Sequence, residues 1–223
     1  SRFPKLRLAA RPAETLDTLM TKAGPARSNI ANALFDRVAE ARVLSNNLSA
    51  GLFGAMVETA RTYGGGAVAV EDTVTGTLTR KRLLISARVL GRRFAAITEP
   101  GEAVGVLLPN ANGAVVTFFG LQSGGRIAAM LNYTSGPANI ASAVRTAKIR
   151  TIVSSRAFIE KAELGDLVTA IDGTGAKILW LEEVRETIST QEKLEAALLW
   201  SRRLHPVKPE DAAVILFTSG SEG

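Results

Sequence analysis

The sequence predicts an α/β protein built on a doubly wound, mostly parallel sheet with flanking helices, preceded by a leader of helix and linker. From residue 67 onwards, short apolar runs alternate with segments of helical periodicity at least five times. Parallel strands require crossover connections of this kind. Several runs, such as 103–109, are continuously apolar, which is typical of strands buried on both faces of a parallel sheet.

The first 66 residues do not show this alternation. Proline and glycine interrupt residues 1–27, which predicts a basic linker or the tail of a preceding domain. Residues 28–66 form a helical leader. One predicted helix starts at Ser28 as N-cap, and a second runs from about 49 to 63, where YGGG ends it. The remainder, 67–223, is the α/β unit. Because the chain starts with serine, we expect it to be an internal piece of a longer polypeptide.

Within the α/β unit each element follows from its local pattern. A strand is predicted at 67–72, followed by a turn at TGTLT (75–79). Further strands are predicted at the short apolar runs 103–109, 126–132, 149–155, 176–184 and 211–218. Helices are predicted where apolar residues recur at helical spacing, at 80–97, 112–125, 136–147, 156–171 and 189–203.

Composition excludes several kinds of site. Cysteine is absent, so disulfides, thiolate metal sites and cysteine nucleophiles are excluded, in agreement with a reducing compartment. Because His205 is the only histidine, a histidine-rich zinc site is excluded as well. No apolar run approaches the roughly 20 residues of a membrane-spanning helix. No pattern indicates nucleic-acid recognition. We therefore expect a cytoplasmic protein without nucleic acid as a partner.

The net charge of +6 is concentrated near the amino terminus. Residues 1–30 hold six basic and two acidic side chains, which accounts for +4 of the total. A basic segment can contact an anionic surface. The interpretation that we prefer is a solvated linker, and peripheral contact of 1–27 with the inner face of a membrane is the alternative.

Two groups of polar residues could be mistaken for catalytic or metal sites. His205 stands five positions before Glu210, similar to the His-x4-Asp pair of glycerolipid acyltransferases, but the neighbouring prolines predict an extended linker into the last strand. Glu182, Glu183 and Glu186 lie at the end of the strand predicted at 176–184, and we expect a solvated charge run there. We predict no metal ligands in the chain.

The segment FTSGSEG, which follows the last predicted strand, is the main functional signal. It holds three hydroxyl side chains and two glycines within six residues. Glycines allow a tight turn whose successive N–H groups form an anion-binding concavity, and hydroxyls add further donors to phosphate oxygens. It is neither a Walker loop nor a dinucleotide fingerprint. By composition alone, a surface turn and a phosphate-binding loop both remain open.

Three segments resemble the adenylate-forming (AMP-binding) enzyme family, in that family's order. LTRKRLLISARVLG resembles its opening helix, usually LTYxEL…A…LA. PGEAVGVLLPNANGAVVTFFGLQSGGRIAAMLN is similar to GDRVAILLPN…FLGxxxAGAVxVPLN. PEDAAVILFTSGSEG resembles the segment that introduces the phosphate loop, which continues in the family as TPKG. The resemblance covers about residues 67–223.

The resemblance implies a two-step reaction. ATP with Mg²⁺ and a fatty acid would give an acyl-adenylate and pyrophosphate, and a thiol of acyl carrier protein or coenzyme A would then accept the acyl group. The residues implied to contact the β- and γ-phosphates are Thr218, Ser219, Gly220, Ser221, Glu222 and Gly223. The family's catalytic lysine and adenine-binding segment would lie beyond Gly223. We therefore expect no catalytic residue within these 223 residues and no activity of this piece alone.

A narrower resemblance rests on Glu222. The SEG form of the loop is similar to that of acyl-acyl-carrier-protein synthetases, such as those in bifunctional 2-acylglycerophosphoethanolamine acyltransferases, where the basic segment 1–27 would correspond to the junction between domains. Two other hypotheses remain open. One is a non-catalytic α/β interaction or membrane-docking module, and the other is a different nucleotide-binding α/β enzyme with a similar loop.

Overall fold

The computed structural model describes residues 31–32, 35–36, 51–73 and 75–217. The chain divides into two compact units, 1–49 and 50–223. In the first unit the four described residues are helical. The remainder of the helix predicted from Ser28, and the linker predicted at 1–27, lie outside the described residues. The elements below belong to the second unit.

A two-stranded antiparallel hairpin precedes the main sheet and consists of β1 (Val68–Asp72) and β2 (Gly76–Thr79). The main sheet has five strands, all parallel, in the order β6-β5-β3-β4-β7. Its members are β3 (Ala103–Leu107), β4 (Ile127–Met130), β5 (Thr151–Ser154), β6 (Lys177–Trp180) and β7 (Val214–Leu216). The predicted parallel sheet with flanking helices is confirmed.

Helices connect these strands, and a single 3₁₀ turn follows β4 at Tyr133–Ser135. The helices described in this unit are α1 (Gly51–Tyr63), α2 (Arg80–Ala95), α3 (Asn112–Ser123), α4 (Pro137–Thr146), α5 (Arg156–Lys161), α6 (Gly165–Asp172), α7 (Leu181–Glu186) and α8 (Thr190–Leu198). The longest has 16 residues, and no described helix is long and apolar enough to cross a bilayer.

Two apolar layers cover the sheet, one on each face. Successive residues of a strand point to opposite faces, so Leu107 and Ile152 pack with α4 and α6. Val106 and Val153 pack on the other side with α2, α3 and Val184 of α7. Helices on both faces make the sheet doubly wound, as predicted. A third cluster joins α1 to α2, with Phe53 1% exposed.

Helices α2 and α3 approach each other through glycine. A Cβ atom on Gly91 of α2 would lie 2.7 Å from the carbonyl oxygen of Gly120 and would also overlap Ser123 Oγ. A Cβ on Gly120 would lie 3.2 Å from the carbonyl oxygen of Ala87. The backbones of the two helices are therefore close enough that a methyl group at Gly91 has no space.

Several predicted boundaries are wrong. The segment 75–79, predicted as a turn, contains strand β2, which pairs with β1 outside the main sheet. The strand predicted at 176–184 ends at Trp180, and helix α7 follows immediately. The helix predicted at 156–171 is two helices, and the one predicted at 189–203 ends at Leu198. The last strand is shorter than 211–218 and covers Val214–Leu216.

Candidate functional site at the carboxyl edge of the sheet

The five parallel strands end at one edge, and this carboxyl edge is where open α/β sheets bind ligands. The chain leaves β3 towards β4 on one side and leaves β5 towards β6 on the other. The strand order therefore reverses between β3 and β5, and a crevice is expected outside such a point. Among the described residues, the segments that follow β3, β5 and β6 supply polar groups at this edge.

Strand β7 brings the chain to this edge beside β4. Ala128 pairs with Val214 and Met130 with Leu216. Ile215 and Phe217 pack against the core on the α4 face, whereas Leu216 is 69% exposed. Residues 218–223, proposed from sequence to bind phosphate, follow directly in the chain. They lie outside the described residues, so Thr218, Ser219, Gly220, Ser221, Glu222 and Gly223 remain a prediction.

The segment between α8 and β7 wraps around the end of α3. The backbone N–H groups of Leu204 and His205 donate to the carbonyl of Ser123 at 2.8 Å and 3.2 Å. They satisfy a carbonyl that the helix end leaves without an intrahelical partner. The His205 ring packs against Gly125. These contacts agree with the predicted linker into the last strand.

The amino end of α3, the first helix after the first parallel strand, is already capped by a carboxylate. The Asn112 backbone N–H donates to Asp72 Oδ2 at 2.8 Å, and the Asn112 side-chain Nδ2 donates to Thr75 Oγ1 at 2.8 Å. Asp72 Oδ1 also accepts from the backbone N–H of Thr75 at 2.6 Å. A carboxylate at a helix amino terminus is stabilised by the helix dipole. A phosphate at the same position would be repelled by Asp72, so the turn after β3 is not an anion site.

An apolar cleft of about 370 Å³ opens beside this cap. Its walls are the β1 end, the α3 face and the end of β4, and the lining residues are Val70, Glu71, Asp72, Asn110, Ala111, Ala114, Val115, Phe118 and Met130. One lining residue, Met130, is the register partner of Leu216 in β7. Within the part of the chain that the structure describes, no group of three or more His, Asp or Glu side chains could hold a metal ion.

A polar pair that the sequence did not reveal links the amino ends of helices α5 and α7, which follow β5 and β6. Ser155 Oγ donates to Glu182 Oε1 at 2.6 Å, and the Ala157 backbone N–H donates to the same oxygen at 3.4 Å. Glu182 Oε2 is buried without a hydrogen-bond partner. Nearby, Arg156 lies over the Trp180 ring at 4.7 Å and pairs with Glu183. The prediction of a solvated charge run is therefore wrong for Glu182, which joins the amino ends of helices α5 and α7.

The pKa of Glu182 is lowered by these contacts. Burial disfavours the charged carboxylate and would raise the pKa, but hydrogen bonds from the Ser155 hydroxyl and from backbone N–H groups outweigh burial. A lowered pKa in the folded state means that the ionised group stabilises the fold above the ordinary glutamate pKa of about 4.3. This contribution is lost as the pH falls through the lowered pKa.

Replacing Glu182 with glutamine is expected to lower the free energy of unfolding at pH 7 by about 1 kcal/mol, because a charged acceptor becomes neutral. The difference from the wild type should stay constant above the ordinary glutamate pKa of about 4.3 and should shrink as the pH falls from there through the lowered pKa of Glu182. Urea unfolding at a series of pH values measures this difference. Glu186→Gln, an exposed position on the same helix, is the control. A difference in the free energy of unfolding that does not depend on pH would mean that the ionised carboxylate of Glu182 does not stabilise the fold.

Comparison with known proteins agrees with this architecture. The model of the AMP-binding enzyme family matches residues 56–223. The structure of VinN with 3-methylaspartate has a TM-score of 0.60 and 21% identity over 78% of this chain and 46% of VinN. The anthranilate CoA ligase AuaEII with anthranoyl-AMP has a TM-score of 0.61 and 18% identity over 80% of this chain and 33% of the ligase. The AMPPNP-bound nonribosomal peptide synthetase FmoA3 has a TM-score of 0.58 and 19% identity over 77% of this chain and 16% of that protein.

These three structures share the fold of this chain, which spans less than half the length of each. The family model matches well over half of the chain, and its matched segment includes every strand of the parallel sheet. The chain belongs to the family of AMP-binding enzymes.

Proposed function

We propose that the complete gene product is an ATP-dependent, AMP-forming ligase that activates a fatty acid as an acyl-adenylate, and that residues 67–223 belong to the N-terminal subdomain of its ligase domain. The observation that carries the proposal is the position of β7, which pairs with β4 and ends at the carboxyl edge immediately before TSGSEG. Family membership supports the same conclusion. ATP is supported further by two relatives, since FmoA3 is AMPPNP-bound and AuaEII carries anthranoyl-AMP.

The proposed role of residues 218–223 is to hold the β- and γ-phosphates of ATP. Thr218, Ser219 and Ser221 supply hydroxyl donors, and Gly220 and Gly223 let the backbone approach. The turn after β3 cannot share this task because Asp72 occupies it. Mg²⁺ would enter with ATP and reduce the repulsion between its phosphates and the attacking carboxylate.

The reaction requires positioning and charge stabilisation more than covalent chemistry by the protein. A carboxylate oxygen of the acid attacks the α-phosphorus, and the bond from that phosphorus to the bridging oxygen of pyrophosphate breaks. Holding both reactants in line converts a bimolecular step into one with a high effective concentration. Donors placed at the phosphate oxygens stabilise the developing charge. The loop would contribute to both effects.

The acid substrate and the thiol acceptor are proposed from the loop sequence. Glu222 in the SEG form of the loop supports a fatty acid and acyl carrier protein, with coenzyme A as the alternative acceptor. Pyrophosphate exchange into ATP, measured on the complete gene product with fatty acids, anthranilate and aspartate, tests the acid. Exchange that depends on a fatty acid and on Mg²⁺ is expected. Exchange with none of these acids would overturn the proposed function, and exchange with anthranilate or aspartate alone would overturn the choice of a fatty acid.

The 223-residue chain is expected to show no exchange in the same assay. The chain spans 46% or less of the three matched structures, and the proposed function requires an adenine-binding segment and a catalytic lysine that the resemblance assigns elsewhere in the protein. If the chain alone exchanged pyrophosphate at the rate of the complete product, the adenine-binding segment and the catalytic lysine would not be needed from elsewhere in the protein.

Peripheral contact with a membrane through residues 1–27 is a separate prediction. If residues 1–27 contact a membrane instead of forming the solvated linker that we prefer, the chain should sediment with vesicles of anionic phospholipid because this segment is basic. Raising the salt concentration above about 0.15 M should weaken sedimentation, since the Debye length shortens to less than about 8 Å. Deletion of residues 1–27 should abolish sedimentation. If the deletion variant sediments as well as the intact chain, this segment does not bind membranes.

A further inference from the structure

The buried amide of Gln122 connects two neighbouring strands at their starting points. Gln122 lies next to the last residue of α3 and is 7% exposed. Its Nε2 group donates to the carbonyl of Ala213 at 2.7 Å and to the carbonyl of Arg126 at 3.3 Å. Arg126 immediately precedes β4, and Ala213 immediately precedes β7. One side chain therefore holds the entry points of both strands.

Strand β7 has few other determinants of its position. It has three residues and, among the strands that the structure describes, it lies at the edge of the sheet and pairs with β4 alone. Val214 and Leu216 are 40% and 69% exposed, so they contribute little burial. The carbonyl of Ala213 also accepts from the Ala128 backbone N–H at 3.1 Å. With Gln122, this carbonyl has a donor for each of its two lone pairs.

The apolar pattern of β7 excludes a shift of its register against β4 by one residue, but it does not exclude a shift by two residues. A slip by one residue would turn Ile215 and Phe217 away from the core on the α4 face. A slip by two residues would keep apolar side chains on the same face, yet it would move the following residues by roughly 6.6 Å, because a strand rises about 3.3 Å per residue. A donor fixed at the end of α3 distinguishes these registers, since only one of them brings the carbonyl of Ala213 to Nε2.

We infer that Gln122 is a positioning residue for the phosphate loop at 218–223, which acts by fixing the register of β7 against β4. This inference rests on the proposed function of that loop. Gln122 does not touch the substrate itself, because its amide lies at the opposite end of β7 from residue 218. Its effect is to set where along the sheet edge the loop begins.

Three variants of the complete gene product test the inference. Gln122→Met removes the donor and keeps the length of the side chain. We expect kcat/KM for ATP in pyrophosphate exchange to fall about tenfold, the equivalent of one lost buried hydrogen bond, through a higher KM for ATP and an unchanged KM for the acid. Gln122→Lys restores a donor, so its KM for ATP should lie closer to the wild type, although its buried charge should give a lower Tm than the methionine variant. Gln191→Met, at an exposed site on α8, should change neither quantity.

The ranking of the variants by KM for ATP and by Tm distinguishes a positioning role of Gln122 from a general loss of stability. If KM for ATP follows Tm, with the lysine variant worst in both, the inference is wrong. Backbone amide hydrogen exchange of the chain gives a second readout that needs no activity. In Gln122→Met the amide of Ile215, which is the one within Val214–Leu216 that faces β4, should exchange about tenfold faster, while those of Val104–Leu107 keep their protection. If the wild-type product shows no pyrophosphate exchange, the proposed function is wrong. The role of Gln122 is tested separately, because unchanged protection of β7 in Gln122→Met would overturn it whether or not the product is active.

Discussion

Replacing both Thr218 and Ser221 with alanine in the complete gene product is expected to reduce pyrophosphate exchange about 1,000-fold. Each hydroxyl is proposed to donate to a phosphate oxygen, and a hydrogen bond to a charged group contributes about 1.5–3 kcal/mol. Two such losses correspond to a factor of about 10²–10⁴ in kcat/KM for ATP, since about 1.4 kcal/mol is a factor of ten. Steady-state exchange at varied ATP concentration measures the loss.

A matched double variant separates this effect from a general loss of hydroxyl groups. Thr62 and Thr73 are exposed threonines away from the last strand, so Thr62→Ala/Thr73→Ala should retain wild-type exchange. Thermal unfolding of both double variants should give Tm values near that of the wild type. Wild-type exchange in the Thr218/Ser221 variant would mean that this loop does not hold ATP.

Gly91→Ala is expected to destabilise the chain by about 2–3 kcal/mol. The new methyl group would meet the Gly120 carbonyl oxygen at 2.7 Å, and backbone cannot rotate away as a side chain can. Overpacking typically costs about 1–3 kcal/mol and occasionally more, and an overlap with both a backbone carbonyl and Ser123 Oγ places Gly91 at or above about 3 kcal/mol. The better helix propensity of alanine offsets up to about 1 kcal/mol of this cost. Urea unfolding followed by circular dichroism measures the difference, and Tm should fall by roughly 5–10 °C.

Gly165→Ala is the matched control for Gly91→Ala. Gly165 is also the glycine of a helix, at the first residue of α6, but no heavy atom lies within 4 Å of the position of its Cβ. We expect this variant to be as stable as the wild type, or more stable by up to about 1 kcal/mol. Equal stability of the two alanine variants would show that α2 and α3 do not need a glycine at their contact.

The chemical character of the carboxyl edge was only partly predictable from sequence. Hydroxyls and glycines after an apolar strand are a local signal, and they predict a phosphate loop at residues 218–223, which stays a prediction. The Asp72 cap had a weaker local signal, because aspartate three residues before threonine is typical of a tight turn. That signal could have identified the hairpin of β1 and β2. It could not show that Asp72 also binds Asn112, which lies 40 residues further along the chain.

The pairing of Ser155 with Glu182 and that of Gln122 with Ala213 had no sequence signal. These hydrogen bonds join residues 27 and 91 positions apart. A single polar side chain in an apolar pattern does not identify its partner, since the partner depends on which strands become neighbours. The strand order β6-β5-β3-β4-β7 makes that choice. The prediction of a solvated charge run is wrong at Glu182 for the same reason, whereas Glu183 and Glu186 are exposed as predicted.

The sequence by itself determined the class of the fold, because periodicity of side chains is a property of each segment alone. Apolar runs specified the parallel strands, and helical spacing specified the crossovers between them. Tertiary structure decided the short elements, such as α7 directly after Trp180, whose six residues are too few to show a helical period. Tertiary structure also produced the close approach of α2 and α3 at Gly91, the cap of α3 by Asp72 and the hydrogen bonds from Gln122 to the starts of β4 and β7. Each of these depends on atoms that only the packed sheet and helices bring within a few ångströms of one another.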